Sequence, residues 1–300
     1  MMKNEFRYRN FVNPYMIYFG EDYMPRASIR TNDSIKRLMF VRDPYQRLMS
    51  VYVDKIVAPN PIYWKIFGVP AKRAIRKNNT LQNGSECGHD LTFAEFVRFV
   101  VLVLDPAVYA RPAGPDGHFN TQSEMCRPCA IDYDFVGKME TFAQDSLEMI
   151  RQMGLSNDTV DLLTNQGIDL REEDALLDSC NQPFDSMFKG GYPKCITFHE
   201  ALQRAWKKMQ MRGLIGPVKF ALTEEQSKNL SQMEFENMAR EARNLHTYKE
   251  RQHFKRGHFK KLYSSVARRD LERLLVIYAD DFRLFEYSKR PDIIFKQTLS

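Results

Sequence analysis

Three hundred residues are enough to bury one large core, or a core with a smaller subdomain beside it. The 43% hydrophobic and 27% charged fractions are those of a globular chain and exclude the disordered and fibrous classes. A formal charge of +6 asks for an anionic partner, and one this modest fits a glycosaminoglycan, a nucleotide or a nucleic acid equally well.

Residues 1–35 are polar and aromatic without a clear period and are expected to form loop and short helix. The stretch 37–41 is a short apolar run rich in strand formers and predicts a buried strand. Asp43 then offers an N-cap, and Pro44 takes the first helical position, where its missing N–H costs nothing. Along the helix that follows, to residue 56, Tyr45, Leu48, Met49, Tyr52 and Ile56 share an apolar face. Arg47, Ser50 and Asp54 share the opposite, polar one. Arg42 ends the strand at the C-terminal edge of the sheet, where open α/β sheets take their ligands. A strand-end guanidinium, a helix N-terminus and a hydroxyl two turns on suit a dianionic phosphate. An ordinary strand–turn–helix with a solvated arginine has the same spacing.

Pro59 and Pro61 close this helix, and 63–77 predicts a short basic helix. Residues 78–90 read as a Gly/Asn/Ser loop. Thr92 or Asp90 caps a helix that runs to Leu104 and ends at Asp105 and Pro106. The stretch 107–129 is a long irregular loop, a kind that is functional or disordered. A second buried strand is expected at 131–136, then Gly137 and a helix over 140–153 closed by Gly154. Residues 156–188 are acidic and helical in part, and 189–194 is a breaker and candidate boundary. Beyond it come an amphipathic helix over 197–211 and an apolar stretch over 214–220. Residues 223–261 are charged and helix-prone, and 270–287 is the strongest helix of the C-terminal half.

No run is long enough to span a membrane; 93–104 is apolar but short and carries Glu95 and Arg98. The N-terminus MMKNEFRYRNF has no signal-like apolar region. Sequons at Asn32, Asn78, Asn83, Asn157 and Asn229 lean toward a secretory setting. Cys126 and Cys129 could ligate zinc, cycle as a redox pair or join structural disulfides. Disulfides are favoured, because Cys180 and Cys195 do not form a second close pair and the motif precedes a strand. The basic positions between Lys249 and Lys261 suit an anionic polysaccharide or, equally simply, a solvated helix face. The aromatics are mostly core-periodic and do not interleave those basic runs, which argues against a nucleic-acid module.

Arg42, Asp43 and Pro44, followed by Arg47, Leu48, Ser50, Tyr52 and Lys55, closely resemble a motif of the Golgi carbohydrate sulfotransferases. In that family, which modifies chondroitin, dermatan and related glycans, the motif's first Arg and its Ser hold the 3′-phosphate of the donor PAPS (3′-phosphoadenosine 5′-phosphosulfate). The resemblance thus implies Arg42 and Ser50 as donor-binding, with Arg47 beside them. A second block resembles the family as well: Asp116, His118 and Phe119, then Cys126, Pro128 and Cys129, then Tyr133, Asp134, Phe135, Gly137, Lys138 and Glu140. Tyr278, Asp281, Phe282, Leu284, Phe285 and Tyr287 resemble the closing helix.

The resemblance implies an α/β fold of the P-loop-like sulfotransferase kind, a short parallel sheet flanked by helices with a helical C-terminal region. One domain over 1–300 is expected, with 1–35 poorly defined and 189–261 a possible helical insertion. The implied function is transfer of a sulfuryl group from PAPS, as co-substrate and without a metal, to a hydroxyl of a glycan or proteoglycan. A non-catalytic relative that binds PAP (the donor without its sulfuryl group) or glycan is the alternative. His118 is the candidate general base, since imidazole suits neutral pH; a loop histidine that orders backbone or contacts glycan is the plainer reading. Lys138 and Glu140 could line the cleft or pair with each other. The implied location is the lumenal side of the Golgi membrane, with contact to the bilayer only through an anchor that this sequence does not show. The family's loop for the 5′-phosphosulfate has no match in residues 1–41, so an N-terminally truncated chain with slow transfer is expected.

Overall fold

The structure, a computed structural model, describes residues 16–19, 22–25, 36–76, 87–105, 116–154 and 157–296. Strands β1 (Met16–Phe19) and β2 (Asp22–Pro25) pair antiparallel, where loop and short helix were expected. Ile17, Tyr18, Phe19 and Tyr23 are strand formers, and local β propensity accounts for the difference. The remainder of the first 35 residues lies outside the described set.

β3 (Leu38–Val41) and β4 (Phe135–Lys138) form a parallel pair, with Leu38 opposite Phe135 and Val41 opposite Lys138. β4 starts later than the expected 131–136 because Asp134 is taken by the entrance of β3. Its carboxylate accepts from the Arg37 N–H at 2.8 Å and from Lys36 at 3.1 Å, and its own N–H donates to the Arg37 carbonyl at 2.9 Å. Because the strands end in register, Arg42 and Glu140 leave the same edge of the sheet.

Helix α1 (Pro44–Tyr52) begins as the sequence indicates: the Asp43 carboxylate accepts from the Gln46 N–H at 2.9 Å, and Pro44 sits in the first turn. The helix continues as a π-helical turn over Val53–Val57. Tyr45, Leu48, Met49, Tyr52 and Ile56 are all buried. Each such large apolar side chain stabilises the fold by about 1.5–3 kcal/mol. They pack against α3 (Phe93–Leu104), which follows α2 (Val69–Ile75) and carries a full capping box between Thr92 and Glu95. Tyr45 meets the ring of Tyr263 at 5.5 Å and that of Phe282 at 5.3 Å, joining α1 to the C-terminal helices.

A short helix α4 (Gln122–Cys126) forms inside the stretch expected as irregular loop. After β4 come α5 (Phe142–Gln152) and the long α6 (Asn157–Asn181). Next are α7 (Phe198–Arg212), α8 (Gln232–Asn244) and α9 (Tyr248–Ser264), each opened by a capping box. The expected single helix over 270–287 is two: α10 (Arg268–Ile277) and α11 (Ala279–Leu284), broken where Tyr278 leaves helical dihedrals. Gly213 ends α7 at φ 73°, a left-handed cap that favours glycine.

α7 packs on the π-helical turn after α1, and also on α6 and α9. Leu176, Leu202, Trp206 and Phe235 fill a second core among α6, α7 and α8. Lys208 of α7, 1% exposed, ties this half to the π-helical turn after α1 through the Asp54 carboxylate at 3.1 Å. Helices α6, α7 and α9 thus face the end of β3 and the polar side of α1, and a cavity remains between them. A disulfide joins Cys87 to Cys195, whereas Cys126, Cys129 and Cys180 stay as thiols. The structural disulfides expected for Cys126 and Cys129 are therefore not formed among the described residues. Cys126 packs with Met39, Val41 and Phe285, and Cys129 faces solvent.

Candidate functional site

The backbone of Arg42 is held in both directions by one buried side chain. Its N–H donates to Gln122 Oε1 and its carbonyl accepts from Gln122 Nε2, both at 2.8 Å. Gln122 opens α4, and that helix start is itself capped from afar by Asp281 of α11. The Gln122 and Ser123 N–H groups donate to the two Asp281 carboxylate oxygens, each at 2.8 Å. A carboxylate across a helix N-terminus answers both its orphan donors and its dipole. Strand end, α4 and α11 are thereby fixed to one another.

Arg42 and Ser50 line the same cavity, of about 550 Å³. Neither the Arg42 guanidinium nor the Ser50 hydroxyl has a hydrogen-bond partner among the described residues. Arg171 of α6, Arg212 of α7, and Lys255 and Arg256 of α9 form the other walls. Two acids reach the lining, and both are engaged. Glu172 pairs with Arg251, and Glu140 accepts from the Asp43 N–H at 3.0 Å and the Tyr287 hydroxyl at 2.9 Å. Burial pulls the Arg42 guanidinium below its ordinary pKa; Arg212 adds to this and Glu140 opposes it. Burial, with Arg42, Arg212 and Arg171 nearby, brings the Lys255 ammonium down to about 8. Burial also lifts the Asp43 carboxyl to about 6, against the N–H groups it accepts. A cavity holding more cations than its acids can neutralise is built for a multivalent anion.

Arg47, expected to bind the donor alongside Arg42 and Ser50, does not line this cavity. Its guanidinium donates instead to the carbonyl of Gly117 at 2.7 Å and to that of Asn120, so it is spent on the loop carrying His118. His118 lies outside the cavity lining too. Its Nδ1 is 2.6 Å from the Asp116 carboxylate, which also accepts the His118 N–H at 2.8 Å. Burial raises the Asp116 carboxyl, yet the bonds from His118 outweigh it and hold the group below the ordinary carboxylate range. The Tyr63 hydroxyl approaches the imidazole at 3.4 Å, with the rings edge to face. With Nδ1 turned to Asp116, Nε2, 3.4 Å from the Tyr63 hydroxyl, is the ring nitrogen that can take a proton.

Sequence reasoning missed Gln122, Arg171 and Arg212, and treated Lys255 as one of a run. Glu140 does line the cavity, while the Lys138 ammonium sits 4.9 Å from the centre of the Tyr287 ring. Among the described residues, Cys87, His89 and Cys195 come close enough to share a metal, but two of the three are bonded to each other as the disulfide. No helix among the described residues is long and apolar enough to cross a membrane.

Compared with known proteins, residues 8–174 match the model of a family described as the sulfotransferase family. Carbohydrate sulfotransferase 8 of Mus musculus is 37% identical over 115 residues, which cover 38% of this chain and 26% of that protein. Carbohydrate sulfotransferase 9 of Homo sapiens is 38% identical over 121 residues, covering 39% of this chain and 25% of that protein. Carbohydrate sulfotransferase 11 of Rattus norvegicus is 37% identical over 124 residues, covering 41% and 34%. The matched stretch thus spans about a quarter to a third of the length of these relatives. No solved structure is similar enough to count as a match.

Proposed function

This chain belongs to the sulfotransferase family, and we propose that it transfers a sulfuryl group from PAPS to a hydroxyl of a glycan. One observation carries this reading: the Arg42 guanidinium and the Ser50 hydroxyl, neither with a partner among the described residues, open onto one cavity whose walls are cationic. The 3′-phosphate of the donor sits between the Arg42 guanidinium and the Ser50 hydroxyl, close to the dipole of α1. In the transfer, the acceptor oxygen bonds to sulfur, the bond from sulfur to the 5′-phosphate oxygen breaks, and the hydroxyl proton passes to His118. Asp116 orients the imidazole and stabilises the cation that forms, and Arg47 steadies the loop from beneath. The relatives are named for carbohydrate acceptors, and the cationic cavity agrees with an anionic donor. We place the protein in the Golgi lumen, in keeping with the Cys87–Cys195 disulfide and the sequons.

Calorimetry with PAP tests the donor site. Arg42→Ala should weaken binding by about 2–4 kcal/mol, the range for truncating a charge-paired partner. Equal affinity for wild type and variant would remove the basis of the assignment. Radiolabelled PAPS with desulfated chondroitin or dermatan tests transfer. There His118→Ala should lower kcat by about 10²–10⁴ while PAP affinity holds; an undiminished kcat would strike His118 from the mechanism.

A further inference from the structure

Among the described residues, Lys255 is a cation that the fold alone does not explain. It lies in the middle of α9 and faces the cavity with Gln252 and Phe259 on the same side of the helix. It is partly buried, yet among the described residues no carboxylate or carbonyl receives it. A structural lysine at such depth is ordinarily paired, as Lys208 is with Asp54.

The charges around Lys255 come from every element packed on the cavity, and they are mostly of its own sign. Arg42 projects from the end of β3, Arg212 from the end of α7 and Arg171 from α6; Glu140, after β4, is the acid that opposes them. Glu172 is taken by Arg251, and Asp178 lies 3.9 Å from Arg212 and 3.5 Å from Lys208. This arrangement is costly when empty and favourable once a dianion enters.

We propose that Lys255, backed by Arg171 and Arg212, is a further binding residue for the 3′-phosphate, closing on it from the wall opposite Arg42 and Ser50. The inference rests on the reading of this cavity as the 3′-phosphate site. It assigns the phosphate two jaws from distant parts of the chain, a strand–helix turn and the middle of α9. Because burial and the three arginines hold the Lys255 ammonium at about 8, a bound dianion draws a proton onto it in mildly alkaline solution.

Calorimetry distinguishes the possibilities. PAP is titrated into the whole chain at about pH 7 and about pH 8.5, in two buffers of different ionisation enthalpy, which reveals proton uptake. Wild type should take up a fraction of a proton at the higher pH and less at the lower. Lys255→Met should bind PAP about 10- to 100-fold more weakly without that uptake. Lys255→Arg should keep most of the affinity and lose the uptake, which separates the role from a folding defect. AMP, which lacks the 3′-phosphate, should bind wild type and Lys255→Met alike. Wild-type affinity and uptake in Lys255→Met would overturn the inference, as would an equal loss for AMP. Weakened binding in Arg42→Ala would meanwhile leave the donor-site reading standing. Failure of folded wild type to bind PAP at all would end both.

Discussion

The Asp281 carboxylate offers the most direct test of how the fold sets the candidate site. It is fully buried and accepts two backbone N–H groups of α4 at 2.8 Å. Asp281→Ala leaves both donors without a partner. A buried donor left unsatisfied costs about 1–3 kcal/mol. The Gln122 N–H is deeply placed and the Ser123 N–H only partly so, giving about 2–4 kcal/mol together. Asp281→Asn keeps one accepting oxygen and should cost about half as much. Urea unfolding at constant m-value gives these differences. A second readout follows from the same geometry. Gln122 carries Arg42 by two hydrogen bonds, so loosening α4 should weaken PAP binding even though Asp281 does not line the cavity. Stability of Asp281→Ala within about 0.5 kcal/mol of wild type, with unchanged affinity, would refute the reasoning.

The Cys87–Cys195 bond closes a separation of 108 residues, so its reduction or Cys195→Ala should cost about 2–4 kcal/mol. A melting curve indifferent to reductant would contradict that. Lys208→Met should cost about 1.5–3 kcal/mol near neutral pH, toward the lower end because water reaches Asp54. Burial raises the Asp54 carboxyl, but Lys208 and Lys55 outweigh it and hold the group at about 2. The stability this lends is present above the ordinary carboxylate pKa of about 4 and is lost as pH falls through about 2. The deficit of Lys208→Met should therefore shrink over that window, and a deficit constant with pH would discount the pair. Arg47→Ala should lower kcat for sulfuryl transfer with little change in PAP affinity, since its guanidinium holds the His118 loop. A loss confined to PAP affinity would return Arg47 to the donor site.

How far the site was legible depends on how local its causes are. Asp43, Pro44 and the apolar period from Tyr45 to Ile56 act within a few residues of one another, and they alone specify a strand end, a cap and a helix face. Arg42 and Ser50 could be found from them. The same holds for Thr92 with Glu95, and for Thr197 with Glu200, where cap and reciprocal acid lie three residues apart. Gln122 was missed although Thr121 and Glu124, three residues apart, mark a helix start there; what local sequence does not show is Asp281, more than 150 residues away, accepting the first N–H groups of α4. The second strand slipped for a related reason, as Asp134 was committed to Arg37, a partner 97 residues earlier. The cationic wall is the extreme case. Arg171, Arg212 and Lys255 sit on three helices, and the packing of α7 on the turn after α1 and on α6, with that of α9 on α1 and α7, brings them to Arg42. Local rules place a residue on a face, but what that face looks at is decided by the cores on either side. A charge that solvent would neutralise on a lone helix becomes, once enclosed with its like, a demand for an anion.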